Sequence, residues 1–285
     1  MISEKNQHLL LLNFAMLCLC TSGALGRIIS LPPPLLIWYR AFFGLVFLGL
    51  FCWWKKYDFR FDVKKNGGII FLSGVLMAGN FVAYFYALQW SNVAIGMLAL
   101  FTFPAMTTLL EPLFFKTKFK IDHLILAGLV IVGIYFLAPT FEMDNSLTQG
   151  LLVGLFSAFV WAIRNLLLKT KIKEFNSSIL TFYQLCIVMV LLFPVLFYYP
   201  TDRVVAQLPY LLFLGLVTTA IGHTLFLQSF AHFSVSSASI MASIQPIYGI
   251  IVAMLFLGEI PSSRSLIGGG LILLTVLVEA KRSLK

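Results

Sequence analysis

A chain of 285 residues that is 60% hydrophobic and only 11% charged falls well short of the roughly 25% charged residues of a soluble domain. No stretch between its apolar runs is long enough for a separate soluble domain, so the composition points to one integral membrane unit. The net charge of +9 sits mostly beside those runs, and no basic–aromatic cluster suggests nucleic-acid binding.

Runs of about 20 apolar residues each cross a bilayer as a helix. They are expected near 9–29, 34–54, 67–88, 92–115, 122–139, 148–168, 178–199, 208–230, 235–257 and 263–280. The short alternating segments of a β-barrel are absent, and helices satisfy their own backbone in lipid. The expected fold is therefore an all-α integral membrane protein with ten transmembrane helices. The first run is too long for the apolar core of a signal peptide and aligns with the sixth. It holds Cys18, Cys20, Thr21 and Ser22 and ends at Arg27. The second carries Arg40, the third Asn80 and Tyr84, and the fourth Pro104 and Glu111. The sixth carries Trp161, Arg164 and Asn165, the eighth His223, and the ninth Ser243, Gln245, Pro246 and Tyr248. Cys18, Cys20, Cys52 and Cys186 all fall in or at the ends of apolar runs and read as packing residues. Cys18 and Cys20, two positions apart, face different sides of a helix and make no metal site.

The cations are distributed unevenly. Lys5, the 55–65 loop, Lys116, Lys118, Lys120, Lys169, Lys171, Lys173, Lys281, Arg282 and Lys285 fall on one side, against Arg27, Arg203 and Arg264 on the other. Positive residues mark the cytoplasm, so both termini are expected there.

Residues 9–138 and 151–280 match at a shift of 142 without a gap. Pro104 pairs with Pro246, Gly128 with Gly270, Arg27 with Lys169, and Leu113-Phe114 with Leu255-Phe256. Five crossings per copy is an odd number, so the second copy enters the membrane from the opposite side. Two units, 1–140 and 141–285, are expected as inverted-topology repeats, a common construction for carriers. Arg27 and Lys169 each end the first helix of a half and are expected to snorkel to opposite interfaces.

The fourth-run pattern Ala94 … Phe103-Pro104-Ala105, then Leu110-Glu111-Pro112-Leu113-Phe114-Phe115, is repeated as Ser236 … Gln245-Pro246-Ile247 and Leu255-Phe256-Leu257-Gly258-Glu259. With the duplicated five-span unit, Arg40 and Trp161, it resembles the drug/metabolite transporter superfamily in its ten-helix EamA-type branch. The resemblance covers nearly the whole chain. It implies a carrier of small organic solutes in a bacterial inner membrane, often an exporter, with spans one, three, six, eight and nine around a central cavity.

A charge at the bilayer centre costs about 2.5–3.5 kcal/mol on insertion scales, so each one needs a reason. Arg40 and Arg164 either snorkel, tie helices together, or hold a substrate carboxylate or phosphate. Glu111 reads as the partner of a nearby cation. His223 is either a hydrogen-bonded core residue or a proton switch. No Asp or Glu falls at the middle of a run, which favours facilitated diffusion or exchange over coupling through a central carboxylate. Candidate binding residues are Ser22, Arg40, Asn80, Tyr84, Trp161, Arg164, His223, Gln245 and Tyr248, with Thr21, Asn165 and Ser243 beside them. They suit a small solute with an amide, amine or carboxyl group and an apolar part. Pro104 and Pro246 each remove a helical hydrogen bond in mid-run, giving static bends or hinges.

No Gly-x4-Gly-Lys loop, His-Glu-x-x-His or Gly-x-Ser-x-Gly is present. The expected function is secondary transport of an amino acid or similar metabolite by alternating access, with export the favoured direction. No catalytic residue, metal or cofactor is expected. The partners are the solute and the lipid bilayer, and the oligomeric state is left open. A flippase for lipid-linked substrates is the first alternative. A membrane enzyme is the second, weakened by the lack of an acid near His223.

Overall fold

A computed structural model describes residues 4–60, 63–116, 121–137, 142–169, 171, 174–233 and 235–283. The expected boundary at 140–141 and the cations Lys118, Lys120, Lys173 and Lys285 lie outside them. Every regular element among the described residues is helical. Seven apolar stretches are long enough to cross a membrane: Gln7–Ile28, Pro33–Trp54, Asn66–Trp90, Val93–Phe115, Ser146–Lys169, Ser177–Tyr198 and Val204–Ser229. Gly128–Leu137, Gln245–Leu257 and Ser263–Thr275 are shorter apolar helices.

In chain order the first half comprises α1 (Glu4–Ile28), α2 (Pro33–Trp54), α3 (Val63–Trp90), α4 (Val93–Leu100), α5 (Phe103–Phe115) and α6 (Ile121–Leu137). The second comprises α7 (Ser146–Lys169), α8 (Ser177–Leu192), α9 (Val195–Tyr198) and α10 (Val204–Phe213). It continues with a π-helical stretch, Leu214–His223, and then α11 (Thr224–Ser229), α12 (Val235–Ala242), α13 (Gln245–Leu257) and α14 (Ser263–Ser283).

Element bounds recur at the 142-residue shift. α4 and α5 map residue for residue onto α12 and α13, and α1 and α6 begin where α7 and α14 do. The ends match too: Lys116 after α5 and Gly258 after α13 are both left-handed, with φ of 53° and 66°. Glycine takes that conformation without strain, whereas lysine does not.

The expected proline bends take a different form. The helical hydrogen-bond ladder is interrupted by turn residues at Phe101–Thr102 and again at Ser243–Ile244, although Thr102 and Ile244 keep helical dihedrals, and Pro104 and Pro246 stand in the first turns of α5 and α13. An N–H in a first turn has no partner within its helix, so proline loses nothing there. The fourth run of each half is thus broken into two helices rather than kinked.

The packing interleaves the halves. α3 lies along α7, α6 along α14, and α1 against the π-helical stretch and α13. Small residues allow the closest approaches. A Cβ on Gly268 would lie 2.6 Å from the Gly133 carbonyl oxygen, and one on Gly154 would lie 2.7 Å from Ala99 Cβ.

Among the described residues, two ion pairs tie the halves together, and both are built crosswise. Arg27 at the end of α1 donates to Glu259 beyond α13 at 2.8 Å, while the second Glu259 oxygen accepts the Val93 N–H at the start of α4. Lys169 at the end of α7 donates to Glu111 of α5 at 2.5 Å. Arg27 also donates to the Gln89 carbonyl at 3.1 Å, so it is clasped rather than simply snorkelling. The α4–α5 segment runs between the two pairs, which places them about 27 Å apart at 1.5 Å per residue, at opposite ends of the bundle. Both pairs are partly wet, and such pairs contribute about 1 kcal/mol or less. Glu259→Ala is expected to lower the unfolding free energy by about 1 kcal/mol in detergent. A loss of several kcal/mol would show the clasp to be structural.

Candidate functional site

The site lies where the two broken runs face the middle of α1, α2, α3, α7 and the π-helical stretch. A small chamber there is lined from the first half by Ser22, Arg40, Asn80, Tyr84 and Phe101, and from the second by Trp161, His223 and Gln245. Both helix breaks contribute, through Phe101 and Phe103 on one side and Ala242 and Gln245 on the other. Broken helices at membrane depth occur where irregular backbone lines a cavity.

Arg40 is the charge in this chamber, and it is 2% exposed. The sequence places it close to the N-terminal end of α2, yet it does not snorkel, because its guanidinium turns inward. Its Nε donates to Thr219 Oγ1 at 2.7 Å, and its Nη2 lies 3.0 Å from His223 Nε2. A guanidinium can only donate, so His223 Nε2 is the acceptor and the ring proton sits on Nδ1. Thr219 can accept because its own proton goes to the Leu214 carbonyl at 2.9 Å, five residues back in the π-helical turn. π-Helical segments are frequent at functional sites, and here the extra residue per turn presents Thr219 and His223 to one guanidinium. The Arg40 plane lies 4.2 Å from the Phe81 ring centroid, a cation–π contact in a dry setting.

Rings form the wall. His223 is 4.9 Å from Phe81 and 5.5 Å from Trp161 between centroids, and Trp161 stacks on Phe226 at 6.3 Å. Asn80 donates to the Ser157 carbonyl and hydroxyl at 3.0 and 2.8 Å, fixing α3 to α7 beside the chamber.

Arg164, at 1% exposure, also stays away from the headgroups, but it does not line the chamber. It lies 4.3 Å from the Trp161 ring centroid. Its Nη2 donates to Gln184 Oε1 at 2.5 Å and its Nη1 to Asn165 Oδ1 at 3.2 Å. Gln184 in turn donates to Ser73 at 2.8 Å. The Arg164 Nε, the Asn165 amide nitrogen and His223 Nδ1 have no hydrogen-bond partner among the described residues.

Of the nine candidate residues, Ser22, Arg40, Asn80, Tyr84, Trp161, His223 and Gln245 meet around the chamber. Arg164 stands behind Trp161. Tyr248, half-buried, packs against the core one turn further along α13. Thr21 donates to the Cys18 carbonyl and Ser243 to the Ser239 carbonyl, so both serve their own helices. Sequence reasoning missed Thr219, Gln184 and the phenylalanine wall.

The chamber volume is about 40 Å³, room for a few waters. Sites for organic ligands run to about 300–1,000 Å³. A space of this size is too small for such a ligand in this conformation.

A family model described as the EamA-like transporter family matches twice, over residues 7–138 and 148–279. The chain belongs to the EamA-like transporter family. An uncharacterized transporter of Archaeoglobus fulgidus is 28% identical over 239 residues, covering 84% of this chain and 83% of its own. One from Haemophilus influenzae is 22% identical over 264 residues, covering 87% and 84%. A solved crystal structure superposes with a TM-score of 0.70 at 16% identity, covering 97% of this chain and 98% of its own, a likeness that speaks for the fold alone. Family, relatives and apolar helices together make this EamA-like chain a multi-pass membrane transporter. They point to transport rather than enzymatic turnover.

Proposed function

We propose that the chain is a secondary carrier that moves a small organic metabolite of amino-acid size by alternating access. The observation that carries this reading is a small polar and aromatic chamber to which both halves contribute, at the level where the fourth run of each half is broken. The recurrence of element bounds at 142 residues supports ten crossings in two inverted repeats, 1–140 and 141–285, rocking about the chamber. Pro104 and Pro246, each just past a break, are the positions at which such rocking would bend the chain. The charge bias supports cytoplasmic termini in a bacterial inner membrane, and the family resemblance favours export.

Purified protein in liposomes is expected to show solute counterflow without ATP. Everted vesicles should load the solute faster than right-side-out ones. No counterflow across an amino-acid and metabolite panel would sink the carrier reading, and equal loading would sink export.

A further inference from the structure

We infer that the chamber is built for an organic anion, a carboxylate without a neighbouring ammonium group, whose apolar body lies among the rings. This deepens the carrier reading above and rests on it.

A buried ion needs a partner, because removing one from water costs several kcal/mol unless an opposite charge or a full set of hydrogen bonds replaces the solvent. Arg40 has neither. Its two hydrogen-bond partners are a neutral hydroxyl and a neutral imidazole, the Phe81 and Phe85 rings beside it carry no net charge, and no Asp or Glu is among the residues found buried. The third guanidinium nitrogen, Nη1, is not engaged by either contact, and Arg40 is part of the chamber lining. The bonds at Nε and Nη2 fix the plane and leave Nη1 as the group a ligand can reach. Thr219 and His223 therefore act as positioning residues for the guanidinium.

The rest of the lining agrees on sign. His223 lines the chamber, and its buried Nδ1–H has no partner among the described residues. Arg164, a second guanidinium, lies directly behind Trp161 with only neutral acceptors. An anion entering this space gains from both charges at low dielectric. An ammonium group would be repelled by both and would meet no carboxylate among the described residues that line the chamber. The lining offers it ring faces, the Ser22 and Tyr84 hydroxyls and the Asn80 and Gln245 amide oxygens, all of them neutral. Phe81, Trp161 and Phe226 supply flat apolar surface in the chamber that Arg40 also lines, so the matching ligand combines a carboxylate with an apolar group.

The test uses two sets of probes. One is aromatic: hydrocinnamate, L-phenylalanine and hydrocinnamide. The other is aliphatic: isovalerate, L-valine and isovaleramide. Each is measured by thermal shift on the purified full chain and by counterflow in liposomes. In at least one set the plain carboxylate is expected to bind at least tenfold more tightly than both its amino acid and its amide. Arg40→Gln should remove that preference, and Arg40→Lys should restore part of it. A purely structural tie would not distinguish these ligands by charge. An amide or amino acid that matches or exceeds the carboxylate in both sets overturns the inference, as does an intact preference in Arg40→Gln. The wild-type ranking decides the matter even if Arg40→Gln does not fold. Counterflow of the neutral or zwitterionic probes with no anion preference leaves the carrier reading standing and removes this one. Carboxylate-specific thermal shifts without any counterflow do the reverse.

Discussion

Gln184→Met is expected to lower the unfolding free energy by about 3 kcal/mol, the largest loss from any single near-isosteric change in this protein. Methionine matches glutamine in length and shape, so the effect is electrostatic. Gln184 is fully buried between α7 and α3, accepts from Arg164 and donates to Ser73. Its removal leaves a guanidinium in the dry interior with only Asn165, Met77 and the Trp161 ring around it. Breaking a buried charge's strongest hydrogen bond is penalised by the desolvation of the charge left behind. Gln184→Glu keeps an acceptor at the same place and should be clearly more stable than Gln184→Met. Thermal or denaturant unfolding in detergent checks both. If the methionine variant unfolds within about 0.5 kcal/mol of wild type, Arg164 is satisfied in some other way.

Gly215→Ala is expected to cost about 2–3 kcal/mol, the upper range for overpacking, and to disturb the site as well. A Cβ there would lie 2.5 Å from Phe43 Cβ, 2.9 Å from Gly44 N and 3.0 Å from the Phe43 carbonyl carbon. These are largely backbone atoms, which no rotamer change can move aside, so α2 must retreat from the π-helical stretch. Arg40 is on α2 and Thr219 on the π-helical stretch, and their 2.7 Å bond should lengthen with the separation. The matching control is Gly270→Ala. That glycine is exposed on α14 with nothing within 4 Å of an added Cβ. There, alanine should be neutral or stabilising by about 0.5–1 kcal/mol, as in any open helix position. If the two alanine variants melt alike, close α2 packing does not set the position of Arg40.

The general plan was legible in the chain because lipid imposes strong rules. Apolar runs marked out the helices, and the shift of 142 recurs in the element bounds, but the interruption of each fourth run was expected only as a proline bend. Seven of the nine candidate residues line one chamber, because a polar group in an apolar run usually faces the protein. Thr219 and Gln184 escaped for opposite reasons. Thr219 sits beside Thr218 in a run where a threonine most often bonds its own helix, and its value depends on a π-helical turn that no periodicity announced. Gln184 stands out as polar, but its run looks lipid-facing until α8 is seen packed on α3. Arg40 and Arg164 were placed by depth, which cannot distinguish a side chain that rises to the headgroups from one that folds back into the bundle. Only tertiary packing separates Tyr248, which stays outside the chamber, from Gln245, which enters it.

The two crosswise ion pairs make the bundle resemble a see-saw with a latch at each end. A tilt of one half against the other about the central chamber stretches one latch and leaves the opposite one near its resting length. Each latch contributes about 1 kcal/mol or less, so thermal motion can lift either one alone, while lifting both together roughly doubles the penalty. The arithmetic favours one end opening at a time, with the other held shut.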